Sequence, residues 1–307
     1  MQCGGDERCQ FTSTEGIDCG PEVTLGACTT PMDMCDSDAQ CGGFCAPLDG
    51  WMCSVKFCGR PLLVDDRAVV APSAARDDWS ARLLVAAAPP ALREALAAHW
   101  TEVALAEHAS IASFARFVLQ MLAVGAPPDL VLAAQRALAD EVEHARVGFA
   151  LASIHAGHDV GPGDLAVAHD AGPLDLEAIL AAVIREACVG ETLSALEIRE
   201  SATRAQDPAL QRLLARIADD EQRHAELGWR FVQWALARAD AGQRDRAHAV
   251  FAAAIASASA AADDFAGQAG APELRPHGVV DAPLRAALWR EGLATLVQPT
   301  AQALRAA

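Results

Sequence analysis

Tyrosine is absent from this 307-residue chain, and aromatic residues make up only 5% of it. Without a phenol, no mechanism that stores an oxidising equivalent on a tyrosyl radical is open. Lysine is represented by Lys56 alone, and Arg carries the rest of the positive charge. Against 24 basic residues stand 41 acidic ones, a formal charge of −17. That excess repels nucleic acid and anionic lipid, so neither is an expected partner. The charge is otherwise an ordinary solubility feature. No run of eighteen strongly apolar residues occurs, and the Ala-rich stretch 249–262 reads as too short and too weakly hydrophobic, so no transmembrane helix is expected. Several catalytic signatures are also missing. There is no Gly-x-Gly-x-x-Gly after a strand, no phosphate-binding Gly-Lys-Ser/Thr, no Gly-x-Ser-x-Gly and no His-Glu-x-x-His. No signature for NAD, flavin or haem is present.

Cysteine is not scarce but is confined. Of ten, nine precede residue 59, and the tenth, Cys188, lies in a helical stretch. The segment 1–58 is rich in Gly, Asp, Thr and Pro and too poor in large apolar side chains to fold on a core alone, so it requires staples. Disulfides among Cys9, Cys19, Cys28, Cys35, Cys41, Cys45, Cys53 and Cys58 are the expected staple, with Cys3 left over as a candidate lipid-bearing residue. A zinc or iron–sulfur centre is the competing reading. Against it, no Cys-x-x-Cys pair occurs and the first histidine is His99. Disulfides place the chain outside the cytoplasm, as a periplasmic, secreted or lipid-anchored protein. No signal peptide is visible before the Cys-rich segment, so either the chain is a mature form with an added Met or the compartment expectation is wrong.

Residues 59–90, punctuated by Pro61, Pro72, Pro89 and Pro90, read as a linker. Beyond them Ala-rich composition and apolar steps of three and four predict helices over 91–124, 128–156, 175–205 and 208–239. Two further helices, near 243–264 and 282–297, are expected to pack outside the first four. The domain plan is a Cys-rich module (1–58), a linker (59–90), a helical core (91–240) and accessory helices (241–307). Between the second and third helices lies a Gly/Pro-containing loop, 158–174. At about 3.3 Å per residue it spans about 56 Å, longer than the about 45 Å of a thirty-residue helix. It can therefore cross the whole length of the core.

One motif occurs twice: Asp140-Glu141-Val142-Glu143-His144-Ala145 and Asp220-Glu221-Gln222-Arg223-His224-Ala225. Residues three apart on a helix lie about 60° apart, so each Glu shares a face with its His. Upstream of each copy another helix carries a Glu within an apolar stripe, Glu107 and Glu191. The helices thus form a duplicated pair of hairpins. Four carboxylates among Leu, Val, Ile and Phe would repel one another and resist burial unless something positive compensates. Two cations, with two neutral imidazoles completing the set, supply that compensation. Carboxylate and imidazole ligands suit iron, or manganese.

On these residues the chain resembles the ferritin-like superfamily of di-iron carboxylate proteins, which includes bacterioferritins, rubrerythrins and bacterial multicomponent monooxygenases. The resemblance covers roughly 95–240. It implies an all-α ferritin-like four-helix bundle with a long crossover between its second and third helices. It also implies that Glu107, Glu141 and His144 bind one side of a metal pair, and Glu191, Glu221 and His224 the other, with Glu141 and Glu221 bridging. The family's Asp-Glu-x-Arg-His is matched in full by residues 220–224; the first copy departs, with Glu143 in the Arg position. By the same resemblance Asp140 and Asp220 hold the ligand histidines from outside the ligand set, as metal-bound imidazoles generally require. Rubrerythrin's further Glu has no counterpart here, where Ser194 stands, and Ala187 fills the position one turn before Glu191. Glu102 and Glu186, five residues before the ligand glutamates, turn about 140° away on an α-helix and read as solvated. His108 reads as surface, Trp100 as core and Cys188 as a buried inert thiol.

The expected function is a di-iron oxidoreductase acting on O₂ or peroxide, with an external electron donor if it is an oxygenase. Ferroxidation, iron storage or detoxification is the second reading. The third is a non-catalytic protein in which the metals are a structural rivet and the Cys-rich part is adhesive. Oligomeric state is left open, a dimer included.

Overall fold

A computed structural model describes the backbone of residues 9–12, 25–28, 44–48, 50–54, 60–64, 67–167 and 172–306, and the side chains of 60–64, 68–167 and 172–305. The chain is mainly helical, as expected. Short strands precede the helices: β1 (Cys9–Thr12) pairs antiparallel with β2 (Leu25–Cys28), and β3 (Phe44–Leu48) with β4 (Gly50–Ser54). The expected disulfides, and the side chains of all eight candidate cysteines, lie outside the described residues.

Helix α1 (Pro90–Ala123) starts on proline, which loses nothing at a position whose N–H has no helical partner. A turn containing Gly125, at φ +68°, leads to α2 (Pro128–Ala156), which also starts on proline and ends at Gly157 with φ +75°. After the loop, Asp175 caps α3 (Leu176–Val183), its side chain accepting from the Ala178 N–H. The rod then runs without a break through a π-helical segment (Ile184–Glu191) into α4 (Thr192–Arg204). Helix α5 (Pro208–Leu236) follows a capping Asp207. The expected third helix is therefore not one uniform α-helix: its middle is wound with i→i+5 bonding.

Partners along the helices fix their directions. Asp129 and His144 on α2 meet Arg230 and Asp220 on α5, so these two helices are antiparallel. Thr192 and Arg199 on α4 meet Trp229 and Asp219, so α4 is antiparallel to α5 as well. Helices α2 and α4 consequently run parallel, and the connection between them must return along the length of the core. It does so beside α1. Strands β5 (Ser73–Ala74) and β6 (Gly161–Pro162) pair, and the Pro173 carbonyl accepts from Gln120 Nε2 at 3.1 Å.

Residues 60–90, expected as a linker, are packed where described. Arg60, Leu62, Ala71 and Ala88 are buried. The Arg60 carbonyl accepts from Ser110 Oγ at 2.8 Å, and the Leu63 carbonyl accepts from Arg116. Helices α6 (Ala241–Ala266), α7 (Ala282–Gly292) and α8 (Gln298–Ala306) lie outside the rod and α5. The Trp229 and Phe251 rings stack at 5.4 Å to join α6 to α5, while buried Glu197 accepts from Arg285 and Trp289 to join α7 to α4. The stretch expected to be too short and too weakly hydrophobic belongs to α6, which by length and composition alone is apolar enough to cross a membrane, with a mean hydropathy of 1.3. One face of it, Ala247, Phe251, Ala254 and Ala258, is buried in the core.

The duplication is visible as packing. Gly148, four residues after His144, lies against Ala104; a Cβ there would sit 2.8 Å from the Ala104 Cβ. Gly228, four residues after His224, lies against Ala187, with a corresponding 2.5 Å. Ala104 precedes Glu107 by three residues, whereas Ala187 precedes Glu191 by four. The π-helical segment absorbs that one-residue difference. Both glycines let the helices approach closely, and Gly228→Ala or Gly148→Ala is expected to cost about 1–3 kcal/mol through overpacking. Thermal melts of the metal-free variants check this; unchanged midpoints would refute the close-packing argument.

Candidate metal centre

The core has two apolar clusters. One gathers Phe114, Phe117 and Met121 with Ile179, Val183 and Phe231; the other gathers Leu96, Trp100 and Ala104 with Leu151, Leu210 and Leu214. Between them, in sequence along every helix, come Glu107 on α1, Glu141 and His144 on α2, Glu191 at the end of the π-helical segment, and Glu221 and His224 on α5. All six are buried, Glu141 and Glu191 with 0% exposure.

The structure brings these six together. Ligand-capable atoms of Glu107, Glu141, His144 and Glu221 lie within 4.8 Å of one another, as do those of Glu141, Glu191 and His224. Glu141 belongs to both groups. Each imidazole leans toward the glutamate of the opposite copy: His144 Nδ1 is 3.2 Å from Glu221 Oε1 and 3.8 Å from Glu141 Oε2, and His224 Nδ1 is 3.1 Å from Glu141 Oε1 and 3.7 Å from Glu221 Oε1. These approaches lack hydrogen-bond geometry. Both Nδ1 atoms, both oxygens of Glu141, Glu191 and Glu221, and Oε2 of Glu107 are buried without a hydrogen-bond partner. Unsatisfied buried polar atoms are rare in folded proteins, and so many facing one point call for a cation.

The far nitrogens are accounted for. His144 Nε2 lies 3.1 Å from Asp220 Oδ2, and His224 Nε2 lies 3.3 Å from Asp140 Oδ2. Each aspartate therefore orients the histidine of the other copy, a crossing that tandem motifs do not reveal. Arg223 reaches both aspartates, Asp220 most closely and Asp140 at 3.4 Å. One guanidinium serves the pair, so the departure at Glu143 leaves neither aspartate without its Arg. Glu143 pairs instead with Arg146 at 2.9 Å.

Burial pushes the Glu107 and Glu191 carboxyls well up, and the neighbouring carboxylates of Glu141 and Glu221 push them further. Burial opposes the charged form of Glu221 too, but the imidazoles, His144 foremost, pull it down to about 2. Burial would lower His224; Asp140 and Glu141 overcome it and raise it to about 9. His144 is raised in the same way by Asp220 and Glu221.

Two solvated assignments are corrected. Glu186 is buried and pairs with Arg60 at 3.1 Å. In a helix bonded i→i+5, residues five apart come round toward one line, so the α-helical 140° offset from Glu191 does not hold there. His108 is half-buried, its ring edge-to-face with Trp79 at 4.8 Å between centroids. Cys188 is buried and its thiol pushed up by that burial, as an inert thiol should be. Trp100 is core. Arg60 was missed in the sequence; it lies in a stretch with neither periodicity nor motif. The Phe114 ring edge closes against His224 at 5.2 Å.

No family model matches the chain, and no curated protein and no solved structure matches it.

Metal-free protein holds protons where a metal would sit. His144, His224, Glu107 and Glu191 all bind protons more tightly when folded than when unfolded. Groups raised in this way lend stability at low pH and lose it as pH climbs through their folded values. For His224 that window runs from 6.5 to about 9. The melting temperature of metal-free protein is thus expected to fall across this window, and metal affinity to rise with proton release. Scanning calorimetry at several pH values, and titrations in buffers of differing ionisation enthalpy, check both; a flat profile would count against the charge arrangement. Asp220→Asn and Asp140→Asn should each weaken metal binding about 10–100-fold by freeing the opposite copy's histidine. Isothermal titration of the folded variants tests that, and wild-type affinity in both would remove the aspartates' orienting role.

Proposed function

We propose that the chain is a ferritin-like di-iron carboxylate protein and that it acts as an oxidoreductase on O₂ or peroxide. In this reading α1, α2, the α3–α4 rod and α5 are the four-helix bundle, the return connection beside α1 is its long crossover, and the Cys-rich segment is a disulfide-stapled appendage in an extracytoplasmic protein. The observation that carries the proposal is the set of buried, unpartnered ligand atoms on Glu107, Glu141, His144, Glu191, Glu221 and His224.

Carboxylate oxygens and imidazole nitrogens, without thiolate, fit iron or manganese. Glu107, Glu141, His144, Glu191, Glu221 and His224 would hold the two ions. Bound iron would supply the electron-transfer chemistry toward the oxidant. What the protein does around it follows from its own residues. Asp220 and Asp140 keep the N–H on Nε2 of His144 and His224 and so turn Nδ1 inward. The apolar clusters on either side exclude water and strengthen every charge interaction in the layer. Phe114 walls the His224 side. Electrons would come from an external donor.

Iron storage needs a closed multi-subunit cage, which an N-terminal module and three outer helices would crowd; sedimentation distinguishes a cage from a monomer or dimer. The deciding experiment is anaerobic loading with ferrous iron, elemental analysis, then exposure to O₂ or peroxide. About two irons per chain and an oxo-bridge absorption are expected, with loss of both in Glu141→Ala. One zinc per chain, or no bound metal, would overturn the proposal.

A further inference from the structure

The two halves of the centre are supported differently, and the difference lies outside the ligands. Five residues before Glu107 stands Glu102, which is exposed. Five residues before Glu191 stands Glu186, buried and 3.1 Å from the Nε of an equally buried Arg60. Arg60 is not on a helix of the core. It comes from the segment that leads out of the Cys-rich region, and three contacts sew it in place. Its carbonyl accepts from Ser110 on α1, its guanidinium lies 4.2 Å from the Phe117 ring centre and 5.4 Å from that of Phe114, and its Nε donates to Glu186. The residue thus bridges α1 to the π-helical segment, whose last residue is Glu191.

We infer that Arg60, through Glu186, is a positioning residue for Glu191, so that the N-terminal segment governs filling of the Glu191–His224 half of the centre. This rests on the two-metal reading above. A π-helical turn carries one residue more than an α-turn and persists only where surrounding contacts hold it. Here the extra residue is measurable, since the helix contact with Gly228 falls four residues before Glu191 rather than three. The same winding swings Glu186 inward to Arg60. Take away the buried ion pair and the segment can rewind as α-helix. Shifting a helix by one residue rotates everything beyond it by about 100°, enough to carry Glu191 off the ligand face. The Glu107 half has no such dependence, because α1 is α-helical throughout.

The test is stepwise metal titration of the full chain with Mn²⁺ and Co²⁺, read by calorimetry and by elemental stoichiometry. Arg60→Met alone leaves Glu186 buried and unpaired and could fail to fold, so the informative variant is Arg60→Met with Glu186→Met, which replaces the pair by apolar side chains of similar length. The wild type should take up two ions. The double variant should keep its helical circular dichroism and the first binding step, while the second step weakens about 10–100-fold or disappears. Arg60→Lys should fall between, since the charge is kept but the guanidinium geometry is lost. Two ions bound by the double variant with wild-type affinities would overturn the inference while leaving the di-metal reading intact. A wild type that binds no metal would instead remove the reading on which it rests.

Discussion

Six ionisable side chains face one another in a dry layer, and the rest of the architecture answers to that fact. In water, carboxylates a few ångströms apart repel by about 1 kcal/mol; between two apolar clusters the repulsion is several times larger. The fold without metal can relieve this only by binding protons, which is why Glu107, Glu191 and both histidines hold them tightly. A divalent ion does the same work with fewer particles and fixed geometry. The helices therefore have to be rigid enough to keep the layer assembled before a metal arrives. The close glycine contacts, the proline starts and the outer helices all serve that requirement.

The chain is a duplicated hairpin that has become unequal. Arg223 in the second copy serves aspartates from both, and a second Arg at position 143 would have placed two guanidiniums side by side above the same pair of histidines. The second copy also carries the π-helical residue and the buried Glu186, neither of which has a counterpart in α1. In the proposed di-metal reading, symmetric ligands set in asymmetric supports would let two ions of one kind differ in affinity.

Much of this was legible in the residues. Apolar steps of three and four around Glu107, Glu141, Glu191 and Glu221 located the helices and the six converging side chains, because period and burial are local properties of a helix. What stayed hidden was non-local. That Asp220 serves His144 rather than His224 depends on how α2 and α5 are offset, and no single helix carries that information. Glu186 was misread because a constant 100° per residue was assumed through a stretch that departs from it. Arg60 lacked any periodic setting, and only the path of the chain places it beside the π-helical segment. The apolar length of α6 was underestimated because the stretch was ended at residue 262, whereas the helix runs on to Ala266.

The other buried acids of the same protein provide an internal control for the metal reading. Glu186 is paired with Arg60, Glu197 accepts from Arg285 and Trp289, and Asp281 accepts from Arg275 and the Ala271 N–H. Among the described residues, these three show how this chain treats a carboxylate that folding takes out of water: an arginine is brought to it. Glu107, Glu141, Glu191 and Glu221 are as deeply buried, and among the described residues none of them is ion-paired to an arginine. The two imidazoles that face them are turned so that one nitrogen of each stays without a hydrogen bond. Among the described residues the fold pairs guanidinium with the three other buried acids and with none of the four that converge, which is the arrangement the proposed metal pair would complete.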